Sequence, residues 1–68
     1  MKTIGERIRE VRISHGRTYR AFADVLGVAD TTVMKWERGS SISFLNAIEI
    51  SEKYHVSLDW LAGKEGDR

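Results

Sequence analysis

The sequence predicts an all-α domain of five short helices, and three observations carry that prediction. Apolar residues recur at spacings of three and four along most of the chain, the period of a helix with one buried face. Pro is absent, so nothing breaks those stretches from within. Ser or Thr precedes most of them and Gly follows several, the residue types that start and stop helices. With 68 residues there is room for one domain and one small core, burying only ~60% of the unfolded chain's surface.

The first helix opens at Thr3, which forms a capping box with Glu6, and carries Ile4, Ile8 and Val11 on one stripe before Gly16. A second runs from its cap Thr18 to Val25 or Leu26, turns Phe22, Ala23 and Leu26 inward, and ends at Gly27. The third begins near Ala29 or Asp30 and stops at Gly39, with Ala29, Val33 and Trp36 facing the core. Its outer residues Asp30, Thr31, Met34, Lys35 and Arg38 share an arc of roughly 140° at 3.6 residues per turn. After the polar connection Ser40-Ser41-Ile42-Ser43, Ser43 caps a fourth helix that buries Phe44, Ala47, Ile48, Ser51 and Tyr54 and exits at His55. Ser57 caps a last short helix, LDWLA, ended by Gly63. Residues 1–63 are expected to form the domain and 64–68, KEGDR, a frayed polar tail.

Several function classes drop out. Cys is absent, which removes disulfides and thiolate metal sites, and the isolated His15 and His55 do not make a zinc site. No metal or other cofactor is implied. Apolar runs fall far short of the ~20 residues that span a bilayer, and MKTIGERIRE lacks a signal core. These features predict a soluble cytoplasmic protein with no membrane partner. No Ser–His–acid or Cys–His order and no glycine-rich phosphate loop occurs, so an enzyme is not expected. The net charge of +1 does not announce a nucleic-acid partner, but its distribution is uneven. Residues 1–38 hold eight basic and five acidic side chains, for +3, and residues 39–68 hold three and five, for −2.

The short link at Gly27 and Val28 forces the second and third helices to cross steeply, as in a helix-turn-helix, and thrusts the outer face of the third helix away from the core. A helix so presented can enter a groove ~12 Å wide.

The stretch TYRAFADVLGVADTTVMKWERG resembles the helix-turn-helix of the phage Cro/CI-type repressors, the lambda-repressor-like or XRE family. It shares a Thr, an Ala five residues on, LGV, a β-branched residue five after that Val, and WERG. IGERIREVR and VSLDWLAG are similar to the family's first and last helices, so the likeness covers nearly the whole chain. The resemblance implies a five-helix DNA-binding domain acting as a homodimer on an operator with two-fold symmetry. By position it implies base reading by Asp30, Thr31 and Lys35, to which the exposed Met34 is added for a thymine-methyl contact. It implies phosphate contacts at Thr18 and Tyr19, and at Arg38 with the Ser40, Ser41, Ser43 and Phe44 backbone. Arg12 and Glu37 match a buried pair tying the first helix to the end of the third.

Four positions depart from the family pattern. Tyr19 replaces a common Gln, Arg17 a usual Leu, and Ala29 a hydroxyl cap, while the connection after Gly39 lacks Lys and Pro and is about one residue short. Asp30 then has two open roles: holding the helix terminus, or accepting from the amino group of cytosine. For Arg17, either the side chain points outward or Ile13 takes over the packing of the missing Leu. Arg7, Arg9, Arg17 and Arg20 read as solvated charges or phosphate contacts, and Trp36 as core. Leu58 and Trp60 form either a candidate dimer patch, which Leu45 extends, or a satellite core cluster. A competing class is a protein-interaction module, antitoxin-like or regulator-binding, with a regulatory protein or RNA polymerase as partner. The low net charge, Asp30 and Met34 favour it.

Overall fold

The computed structural model describes residues 2–64. Among them lie five helices and no strand: α1 (Ile4–Ser14), α2 (Tyr19–Leu26), α3 (Asp30–Glu37), α4 (Phe44–Tyr54) and α5 (Leu58–Leu61). No helix among the described residues is long and apolar enough to cross a membrane. Of the expected tail, residues 65–68 lie outside the described residues, while the Lys64 N–H donates to the Asp59 carbonyl at 2.8 Å.

Four helices start on a side-chain cap, each worth about 1 kcal/mol. The Thr3 hydroxyl accepts from Glu6 N–H and the Glu6 carboxylate accepts from Thr3 N–H, closing the capping box. Thr18, Ser43 and Ser57 accept from the N–H groups of Ala21, Asn46 and Trp60. Ala29, the N-cap of α3, makes no such bond and is exposed rather than turned into the core, because the cap residue precedes the first helical turn.

The core gathers Ile8 and Val11 of α1, Phe22 and Ala23 of α2, Val33 and Trp36 of α3, Ile50 and Tyr54 of α4, and Trp60 and Leu61 of α5. Val25, Leu26, Val28, Ile42, Ala47 and Val56 pack around them, half-buried. Phe22 stacks on Tyr54 with centroids 4.9 Å apart, and His15 meets Tyr54 edge-on at 4.7 Å. His15 Nδ1 lies 3.0 Å from the Val11 carbonyl, so this histidine closes α1.

Three expectations about the core need correction. Phe44 is 71% exposed, and the fully buried residue of α4 is Ile50. Phe44 lines an open groove with Ile4, Leu58 and Leu61, while Ala47, further along α4, packs half-buried against the core. Trp60 is 2% exposed, so it cannot belong to a dimer patch. Trp60 and Leu61, about 100° apart on a helix, are both buried because α5 is one turn set into a corner formed with α1 and α4. Ile4 lies on the predicted stripe but is 41% exposed, at its outer end.

Gly5 was not singled out by periodicity, yet it fixes how α1 meets α3. A Cβ at this position would overlap the Trp36 carbonyl oxygen and sit 3.1 Å from that of Glu37. The N-terminal turn of α1 therefore lies directly on the C-terminal backbone of α3.

Candidate nucleic-acid interface

The turn between α2 and α3 is built by Gly27 and Val28. Gly27 caps α2 in the left-handed conformation, φ 71°, where a Cβ would be strained. The Val28 N–H returns to the Ala23 carbonyl at 3.0 Å, and its side chain packs against the core. With Val33 and Trp36 of α3 buried, the opposite face of that helix is left outside. Asp30, Thr31, Lys35 and Arg38 are exposed and Met34 is half-buried. None of the predicted base-reading side chains is enclosed by α4.

Asp30 stands on the first turn of α3, where its Oδ1 accepts from the Thr31 N–H at 2.8 Å. This geometry holds a helix terminus that lacks a hydroxyl cap and matches the favourable end of the helix dipole. Its second oxygen has no partner among the described residues, so a role as acceptor stays open. At the other end of α3, Gly39 takes φ 116° and the Ser40 N–H donates back to the Lys35 carbonyl at 2.9 Å. That closure sets Arg38, Ser40 and Ser41, all exposed, at the rim of the same face.

Two further helix starts present backbone donors. Thr18 and Ser43 cap later N–H groups, which leaves those of Tyr19 and Arg20 on α2, and of Phe44 and Leu45 on α4, without an acceptor among the described residues. Such N-terminal N–H groups, with the dipole behind them, favour anions.

Arg12 ties these parts together. Its Nε and Nη2 donate to Glu37 Oε2 and Oε1 at 2.7 and 3.2 Å, and its Nη1 donates to the Arg17 carbonyl at 3.0 Å. The Tyr19 ring covers the guanidinium at 4.1 Å. Both partners of the pair are largely shielded, at 11% and 5% exposure. The hydrogen bonds to Glu37 push the Arg12 pKa up, against the opposing effect of burial. Arg17 is exposed, with its charge acting on the nearby Tyr54, and Ile13, 51% exposed, does not fill in for the missing apolar residue.

The other arginines separate clearly. Arg9, Arg17 and Arg20 are exposed, whereas Arg7 is 3% exposed with its guanidinium 5.1 Å from the Trp60 ring, so Arg7 is a packed residue and not a surface charge. Of the predicted dimer patch, Leu45 is 74% exposed and Leu58 half-buried. Leu58 joins Ile4, Ile42, Phe44 and Leu61 in an open apolar groove of about 320 Å³. Sequence periodicity missed Phe44 as part of this surface because its spacing matched the buried stripe.

A helix-turn-helix family model matches residues 8–61. The repressor protein CI of Enterobacteria phage phi80 is 38% identical over 66 residues, covering 97% of this chain and 28% of that protein. The chain thus spans little more than a quarter of that relative's length. A crystal structure of the P22 c2 repressor protein in complex with synthetic operator 9T, in the presence of thallium ions, superposes with a TM-score of 0.87. Its sequence is 26% identical, and the match covers 96% of this chain and all of that one. The chain belongs to the Cro/CI-type, or XRE-type, helix-turn-helix family.

Proposed function

We propose that this domain binds double-stranded DNA sequence-specifically as a repressor of phage or mobile-element type, with α3 in the major groove. The observation that carries the reading is the exposed outer face of α3, flanked by the open N-termini of α2 and α4. Lys35 donates to guanine, Thr31 and Met34 meet base edges or a thymine methyl, and Asp30 accepts from cytosine through its remaining oxygen. Thr18, Arg38, Ser40, Ser41 and Ser43 fix the docking on phosphates, helped by the backbone donors beside them, the Tyr19 N–H included. Residues 1–63 form the binding unit, and its place of action is the bacterial cytoplasm, where the operator lies. The repressors it resembles support this over an enzymatic role.

Two copies are proposed per operator. Half-sites one helical turn apart place domain centres about 34 Å from each other. The Cα trace measures 28 × 22 × 21 Å, and side chains add several ångströms, so neighbours on successive grooves come into contact where their long axes lie along the duplex. Phe44 and Leu45, with the groove running to Leu58, supply an apolar surface for that contact in place of Trp60.

The test is a duplex titration at several salt concentrations, followed by selection of bound sites from a random pool. The expected results are steep salt dependence and a two-fold symmetric site. Lys35→Ala relaxes preference at one position per half-site, losing about 1–3 kcal/mol of discrimination. Arg38→Ala weakens all sequences alike and lowers the salt slope by about one per bound copy. No binding to any duplex at ~50 mM salt would sink the reading and favour the protein-interaction module.

A further inference from the structure

We infer that Tyr19 is a positioning residue for DNA docking, acting through its ring on Arg12 and not through its hydroxyl on a phosphate. The inference rests on the DNA-binding reading above and sharpens the role of one residue within it.

Three observations meet at this point. All three guanidinium nitrogens of Arg12 are engaged, two on Glu37 at the end of α3 and one on the Arg17 carbonyl just before α2. One face of the guanidinium is covered by the Tyr19 ring at 4.1 Å. Tyr19 is itself the first residue of α2, so ring and ion pair join the start of α2 to the end of α3. Those are the two places where the proposed phosphate contacts sit: the α2 N–H groups on one side, Arg38 on the other. A ring lying on a guanidinium is attracted by its π-face and also excludes water from the hydrogen bonds beneath, which strengthens them. The stack therefore holds the spacing of two phosphate clamps. A Gln side chain at this position would offer hydrogen bonds but no such face. Removing the ring loosens the spacing without removing any cation that meets DNA.

The consequence separates ring from hydroxyl. Affinity is measured on an operator selected from the random pool and on random duplex, at a temperature where circular dichroism shows each variant fully folded. Tyr19→Phe keeps affinity within about twofold, because the ring remains. Tyr19→Leu weakens both duplexes roughly 3- to 10-fold, with the specificity ratio and the salt slope unchanged. In the DNA-free protein, the Arg12 side-chain protons show an upfield ring-current shift that persists in Tyr19→Phe and disappears in Tyr19→Leu. If Tyr19→Phe loses as much affinity as Tyr19→Leu, the hydroxyl is the ligand and the inference is wrong. It is equally wrong if all three bind alike, or if the ring-current shift is missing. Failure of the unaltered chain to bind any duplex overturns the DNA reading and this inference with it, an outcome distinct from the others.

Discussion

Replacing Gly5 with Ala sets two effects of opposite sign against each other, and the structure decides which wins. Ala is the better helix former by about 1 kcal/mol, so at an uncrowded position the change would stabilise α1. Here the new methyl would overlap the Trp36 carbonyl oxygen and press on that of Glu37 at 3.1 Å. Both obstacles are backbone at the end of a helix, with no flexible side chain to rotate away. Relief requires α1 to lift off α3 by on the order of 1 Å, a gap that forfeits a quarter to a half of the dispersion attraction across the contact. Overpacking of this kind costs about 1–3 kcal/mol, occasionally more. With both obstacles rigid, the upper part of that range, about 2–3 kcal/mol, less about 1 kcal/mol of propensity leaves a net loss of about 1–2 kcal/mol, near 4–15 °C in Tm for a domain of this size. Thermal unfolding by circular dichroism reads it directly, and Gly5→Val must lose more than Gly5→Ala. A Tm for Gly5→Ala equal to or above that of the unaltered protein would refute the reasoning, since helix propensity would then outweigh the contact.

Other outcomes follow from single residues. Glu37→Gln removes one charge of a shielded bidentate pair and is expected to cost about 3–5 kcal/mol, a large part of the ~3–10 kcal/mol available to a chain of this length, seen as a urea midpoint shift. Thr18→Ala deletes the α2 cap and should lower stability by about 1 kcal/mol in the same assay. Burial raises the Tyr54 pKa above its ordinary value of 10.0, although the nearby Arg17 charge opposes the shift. Its contribution is therefore fully present below pH 10 and declines as pH climbs through the higher folded value, because the unfolded chain ionises first. Tyr54→Phe should flatten that alkaline decline in Tm; an unchanged pH profile would show that another group governs it.

The parts of the fold that were legible in the sequence are those set by local chemistry. Thr3, Thr18, Ser43 and Ser57 act as caps because their oxygens reach N–H groups three residues on, a relation that needs no tertiary contact. Val33 and Trp36 were legible as core from spacing, and the outward face of α3 followed from them. Phe44 and Trp60 were misread for one reason: periodicity assigns residues to a face but does not say how far the neighbouring helices extend along it. The open groove between α1, α4 and α5 leaves Phe44 exposed, and the corner holding α5 buries Trp60. Gly5 did leave a signal. A glycine inside a helix costs about 1 kcal/mol against Ala, so its presence there points to a close approach. Which backbone it approaches is a tertiary fact that no local pattern carries.

The last turn of α3 explains why so few side chains are left for recognition. Trp36 is buried, Glu37 is committed to Arg12, the Trp36 carbonyl accepts from the Gly39 N–H, and the backbone at both positions abuts Gly5. The Arg12 pair and the Gly5 contact fix the helix against α1, and none of these groups can turn toward a ligand. In the proposed complex, base reading falls to the first two turns, to Asp30, Thr31, Met34 and Lys35, of which only Lys35 is cationic. A net charge of +1 fits that division, since a domain docked by helix N-termini and a few arginines draws on dipoles as well as ions. The salt slope tests this proportion, because it counts released counterions and is blind to neutral donors. A slope of only a few units would agree with dipole-led docking. A slope near ten would require phosphate contacts from most of the exposed arginines, Arg9, Arg17 and Arg20 included, and the anchored helix would then be a minor part of what holds the duplex.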